Sequence, residues 1–115
     1  MLRLAFIGLL LGITGQAIAQ DKGDSVLMYV SGLDLKTQCE KNRQFCYGYT
    51  AAMTDTILVL DVLDRGPKIC MPQGVQLEQV VLVITKYLND NPDKLHIIGS
   101  TLASRAIVDA FPCKR

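Results

Sequence analysis

Four cysteines, Cys39, Cys46, Cys70 and Cys113, limit the folds open to this 115-residue chain more than any other feature. An even cysteine count in a short exported chain reads as a disulfide framework, and small exported domains rely on one because their cores are small. The export signal is legible at the start. Met1-Leu2-Arg3 gives a positive beginning, Leu4 to Ile13 an apolar run, and Ala17-Ile18-Ala19 a small-x-small cleavage site, the layout of a secretory signal peptide. That apolar run is half the length of roughly 20 residues needed to span a bilayer. The competing use of the cysteines, a structural metal site, wants closely spaced ligand pairs. The sequence has no C-x-x-C, and its single histidine, His96, has no paired ligand nearby. Disulfides, with no metal and no cofactor, are therefore expected.

Cleavage after Ala19 defines residues 1–19 as signal peptide, 20–30 as an N-terminal tail and 31–115 as one folded domain. Loss of Arg3 from the 12 basic residues leaves them balanced against 11 acidic ones, with no long run of either sign. Neither the basic footprint of a nucleic-acid binder nor a polybasic membrane patch is present. Gln20 to Asp24 is polar, and Val26 to Val30 suits either an extended segment or a first helical turn.

The remainder has helical periodicity throughout, so the expected fold is an all-α bundle of about four helices. Ser31 is placed as an N-cap with Asp34 in capping-box position, and Leu35 and Cys39 share a face of a short helix ending near Lys41-Asn42. A second helix starts around Gln44 or Phe45 and carries Cys46, Tyr49, Met53, Ile57 and Leu60 at spacings of three and four. Gly48 and Ala52, four apart, would admit a close helix neighbour. The pattern stops at Asp61 to Pro67, where Asp-Arg-Gly-Pro is a turn signal. The third helix follows Pro72-Gln73-Gly74 and presents Leu77, Val80, Val81, Ile84, Tyr87 and Leu88, a face that Leu82 and Val83 widen. A fourth is expected to open with Asn91 as N-cap and Pro92 as its first residue, to bury Leu95, Ile98, Leu102, Ala106 and Ala110, and to stop at Pro112.

Four cysteines permit three pairings, and this layout ranks them. Cys39 and Cys46 flank a tight connection. Cys70 precedes the third helix and Cys113 follows the fourth, so antiparallel packing of those helices brings the two together. Cys39–Cys46 with Cys70–Cys113 demands the least distortion. In the chain-entropy model the loops closed contribute about 2.5 and about 4 kcal/mol.

Candidates for an active site are poor. Asp93, His96 and Ser100 form a triad on paper, but hydrolase nucleophiles sit on sharp turns beside oxyanion-hole donors and not within a helix. Asp61 and Asp64 fit a solvated helix end better than a cation site. No phosphate-binding glycine loop, EF-hand loop or dinucleotide fingerprint occurs. Tyr47 lies off the second helix's apolar stripe and is the aromatic best placed as an exposed contact. The expectation is a binding protein, not an enzyme.

The order of motifs resembles that of a known family. Ser31-Gly32-x-Asp34-Leu35 leads to Cys39, then Phe45-Cys46-x-Gly48-Tyr49. Cys70-Met71-Pro72-x-Gly74-Val75 follows, with Gln79-Val80-Val81, Lys86-Tyr87-Leu88, Asn91-Pro92, Leu95-His96 and Ala106, closing on Ala110-Phe111-Pro112-Cys113. Together these resemble the Rap/Tai family of type VI secretion immunity proteins over nearly the whole mature chain. Gln76 stands where the family often has a Ser or Thr cap. The resemblance implies a periplasmic, all-helical, disulfide-bonded protein, often a homodimer, that binds a peptidoglycan amidase effector and blocks its active site. The shared motifs are scaffold, so contact residues must be sought in exposed connections. Asp61 to Lys68, with Asp61, Asp64, Arg65 and Lys68, is the first choice, and Asn89 to Asp93 the second. Two other readings compete: a periplasmic acid-stress chaperone similar to the Hde proteins, and an envelope-associated binding module without a toxin partner.

Overall fold

The computed structural model describes residues 29–114; the expected signal peptide and most of the expected tail lie outside them. Within that range the chain forms α1 (Gly32–Lys41), α2 (Arg43–Val62), α3 (Leu77–Asp90), a single 3-10 turn (Pro92–Lys94) and α4 (Gly99–Ala110). The architecture is an all-α bundle, as the periodicity predicts.

Side-chain chemistry accounts for several helix boundaries. The Ser31 Oγ accepts from the Asp34 N–H at 3.1 Å and the Asp34 Oδ2 accepts from the Ser31 N–H at 3.0 Å, completing a capping box. The Ser31 hydroxyl, which donates to Asp34 Oδ2 at 2.6 Å, and next the Ser31 N–H hold the Asp34 carboxyl below the ordinary carboxylate range. Asn42 closes one helix and opens the next: its N–H donates to Gln38 O at 2.7 Å, and its Oδ1 accepts from the Phe45 N–H at 3.0 Å. A single residue thus forms the corner, and α2 begins slightly earlier than its apolar stripe implies. The Cys39–Cys46 disulfide spans this corner. The start of α3 has no side-chain cap on Gln76. Before it, Gly74 adopts φ 87° as the third residue of the Pro72–Val75 turn, a position that favours glycine.

The fourth helix departs from expectation. Asn91 does not cap its start. The Asn91 Nδ2 instead donates to Tyr87 O at 2.8 Å, terminating α3, and its Oδ1 accepts from Lys94 Nζ. After the 3-10 turn the chain opens at Leu95–Ile98 and pairs with the segment leading into α1. Gly32 N–H donates to Ile97 O at 2.8 Å, Leu33 N–H to Leu95 O at 2.9 Å, and Gly99 N–H to Val30 O at 2.8 Å. The first N–H groups of a helix have no partner inside it. Here α1 and α4 each take theirs from the segment before the other, and Ser31 and Ile98 form an antiparallel bridge. Tertiary hydrogen bonding overrides the Asn-Pro start signal.

Such close backbone approach requires glycine. A Cβ on Gly99 would stand 3.0 Å from Ser31 O and 3.1 Å from Val30 O; one on Gly32 would meet Leu102 Cδ1 at 2.4 Å and Leu95 Cα at 3.1 Å.

The core is formed by Leu35 of α1, Ile57 of α2, Val80, Ile84 and Leu88 of α3, and Leu102, Ala103, Ala106 and Ile107 of α4, closed at one end by Ile69 and Phe111. Three expectations about faces are corrected. Leu82 is 63% exposed and does not widen the buried face of α3. Ala110 is exposed and Ile98 half-buried, because α4 starts at Gly99 and turns Ala103 and Ile107 inward instead. On α2 the fully buried line is Cys46, Thr50, Thr54 and Ile57, with Tyr49, Met53 and Leu60 on its flank. The Thr54 hydroxyl is accommodated there by donating to Thr50 O at 2.8 Å. Gly48 and Ala52 face outward, with no atom within 4 Å of a Cβ built on Gly48, so no helix approaches them.

The glycines therefore respond oppositely to alanine. Gly32→Ala and Gly99→Ala are expected to destabilise by about 1–3 kcal/mol through overpacking against buried backbone. Gly48→Ala should stabilise by up to about 1 kcal/mol through helix propensity. Urea unfolding of the oxidised protein, monitored by circular dichroism, checks both signs.

Candidate functional site

The connection from α2 to α3 leaves its helix through a Schellman motif. Asp64 takes the left-handed conformation at φ 52°, its N–H donates to Asp61 O at 3.0 Å, and the Arg65 N–H donates to Leu60 O at 2.8 Å. Glycine usually occupies this position; here it falls to an aspartate, and Gly66 lies instead where a Cβ would be 2.7 Å from the Leu60 Cβ. The turn signal is therefore right about the break, while the strained residue stands two positions before the glycine.

Lys68 folds back over the turn. Its Nζ lies 3.0 Å from Asp61 Oδ1 and 3.2 Å from Asp61 O, and it also pairs with Asp64 Oδ1. The Asp61 Oδ2 accepts from the Ile69 N–H at 3.4 Å. Lys68, and next the Ile69 N–H, hold the Asp61 carboxyl below its ordinary range, while Asp64 and Asp61 raise the Lys68 ammonium. Beyond Lys68 the buried Ile69 enters the core, Cys70 N–H donates to Phe111 O at 3.0 Å, and the Cys70–Cys113 disulfide fixes the connection to the end of α4. The loop is exposed but anchored at both ends.

The five expected contact residues do not form one site. Asp61, Asp64 and Lys68 meet, but their polar groups are turned on one another. Arg65 is exposed, and its guanidinium pairs with no described residue. Tyr47 stands at the opposite end of α2, about 20 Å away along the axis. It is half-buried and already engaged: Arg43 Nη2 donates to its hydroxyl at 2.9 Å, the guanidinium lies 4.9 Å from the ring centroid, and Arg43 continues to Glu78 at 3.4 Å. The second-choice turn, Asn89 to Asp93, contributes exposed Asn89, Asp90 and Asp93 beside an open groove of about 290 Å³ between α3 and α4.

Sequence reasoning missed the apolar surface next to the loop. Val62 is 84% exposed, Leu63 58% and Val59 56%. The signal was present in α2, where the unbroken apolar run Ile57–Leu60 covers every side of one turn while the buried line before it uses threonines. The paper triad is not assembled: His96 is exposed in the non-helical 95–98 segment, whereas Ser100 lies within α4. Among the described residues no group of three acidic, histidine or cysteine side chains is placed to hold a metal ion, and no cysteine is free.

The arrangement is that of a scaffold presenting a fixed surface, and the relationship of the chain agrees with it. The model of the Rap1a immunity proteins matches residues 20–113. The chain belongs to that family. Membership implies a non-enzymatic inhibitor that binds a protein effector. Neither the curated proteins nor the solved structures contain a significant match. Among the described residues of this family member, no helix is long and apolar enough to cross a membrane.

Two outcomes follow for the loop. Asp64→Ala should destabilise by about 1 kcal/mol because alanine tolerates the left-handed region poorly, whereas Asp64→Gly should not. Asp61 has a depressed folded pKa, so its contribution is present above the unfolded carboxylate value of about 4 and is lost as pH falls through the lower folded value. Lys68 has a raised folded pKa, so its contribution is present below about 10.4 and is lost as pH rises through the folded value. The protection factor of the Ile69 amide against its intrinsic exchange rate, followed against a Lys68→Met control, should stay constant between those limits; loss of protection near pH 6 would contradict the network.

Proposed function

We propose that the chain is a periplasmic immunity protein that neutralises a peptidoglycan amidase effector delivered by type VI secretion, by covering its active site. Family membership over residues 20–113 carries this reading. The start of that match at Gln20 also supports cleavage of the signal peptide after Ala19, with residues 20–30 as the N-terminal tail and 31–115 as the domain. The loop Asp61–Lys68 is the element proposed to reach the effector's cleft, and Arg65 is its free polar contact. A loop tied down by Lys68, Ile69 and Cys70 enters a cleft without being ordered on binding, which spares affinity. Asp61, Asp64 and Lys68 act through loop shape, and Tyr47 belongs to a separate surface with Arg43 and Glu78. A homodimer, implied by the family resemblance, is compatible with inhibition if it leaves the loop open.

The test is co-expression of the chain, with its native signal, against each exported peptidoglycan amidase encoded in the same genome. One amidase should lose its toxicity, and its lytic activity should fall on addition of the purified, oxidised protein. Deleting residues 2–19 should abolish rescue without abolishing binding in solution. Arg65→Ala, which breaks no internal bond, should weaken that complex about tenfold or more. Failure to neutralise any amidase would remove this reading.

A further inference from the structure

A surface helix normally turns its polar side to water. In α2 the face opposite the buried Cys46–Thr50–Thr54–Ile57 line runs through Gly48, Ala52, Asp55, Val59, Val62 and Leu63, all exposed. At 100° per residue these positions fall within about a third of the helix circumference, and the stretch is about 24 Å long. One side chain of the six is charged. Its large apolar side chains, Val59, Val62 and Leu63, are exposed together at the C-terminal end. Its first half is smooth, since nothing approaches Gly48 within 4 Å and Ala52 carries only a methyl group.

Charge and size decide what covers it. Between Arg43 and Arg65 every charged residue of α2 and its cap is acidic: Asp55, Asp61 and Asp64. Lys68 answers Asp61 and Asp64, which leaves Asp55 as the unanswered charge at the middle of the apolar face. A second copy fits poorly. Two-fold antiparallel pairing of this stretch has its axis near the midpoint, so it sets the two Asp55 carboxylates against each other, and like charges brought together at an interface are strongly disfavoured. The face offers on the order of 250 Å², well below the roughly 800 Å² per partner of a stable interface. It does run without a break into the Val62–Leu63 end and the anchored loop that bears Arg65. The surface therefore suits the central strip of a larger contact.

We propose that the outer face of α2 lies in an apolar groove of the amidase effector, rimmed by a lysine or arginine that pairs with Asp55. This rests on the proposed function and extends the contact from the loop onto the helix, in the helix-in-groove mode. The small residues allow the groove wall to approach the α2 backbone, Val59 and Val62 fill it, and Asp55 fixes the register.

The probe is a catalytically inactivated form of the amidase that the chain neutralises, titrated against the oxidised mature protein. Val59→Asp and Asp55→Lys should each weaken binding at least thirtyfold and Asp55→Asn about fivefold, with unchanged circular dichroism; Arg105→Glu, on the exposed side of α4, should have no effect. Wild-type affinity in all three α2 variants, with Arg65→Ala still weakening the complex, overturns the helix contact and leaves the immunity reading standing. A wild-type protein that sediments as a dimer and is dissociated by Val59→Asp shows a self-interface and overturns the assignment. An amidase set in which none is bound removes both readings.

Discussion

Reciprocal capping of α1 and α4 governs the rest of the bundle. The first two N–H groups of α1 donate to Ile97 O and Leu95 O, before α4, and the first N–H of α4 donates to Val30 O, before α1. This sets where both helices begin, so it also sets which of their side chains point inward. A Cβ at Gly32 or Gly99 would crowd it. Leu35, Leu102 and Ile107 reach the core because of that crossing. The two disulfides act elsewhere: one spans the α1–α2 corner, and the other ties the α2–α3 connection to the end of α4. Backbone bonds secure the starts of α1 and α4, and sulfur secures the α1–α2 corner and the end of α4.

That division explains what could be read from the sequence. Local chemistry is legible: Ser31 with Asp34, Asn42, the Pro72–Gly74 turn and the cysteine positions relative to the helices all mean in the structure what they mean in the chain. Asn91-Pro92 is an equally good local signal, yet it ends α3, because the carbonyls of residues 95 and 97 are needed by α1. No window along the chain contains that requirement, which joins segments more than sixty residues apart. Leu82 fails for a simpler reason. Composition says how apolar a helix is, but only the positions of its neighbours say how much of its circumference they cover.

The candidate site was located by its turn signal and misjudged in its chemistry. Asp61, Asp64 and Lys68 look like free charges in a polar loop, and each is instead occupied in shaping it. Asp64 takes a backbone conformation that glycine would adopt at less cost, and its carboxylate answers Lys68. A loop built this way gives up its obvious polar contacts in exchange for a fixed form. The groups of this region left exposed and unpaired among the described residues are Arg65 and the apolar end of α2.

Threonines inside and valines outside make α2 unusual, and the two facts are linked. Thr50 and Thr54 can be buried because a helix offers each hydroxyl a carbonyl one turn back, as Thr54 uses that of Thr50. A core that accepts threonine needs fewer large apolar groups from this helix. Val59, Val62 and Leu63 are thus not demanded by the interior, and water gives no reason to retain them on the outside. A helix serving only the fold would be expected to carry its polar residues outward and its apolar ones inward. The reversal along the second half of α2 is what a surface kept for another molecule looks like. Its position beside an anchored loop makes one continuous surface of what the chain presents as a turn and a helix.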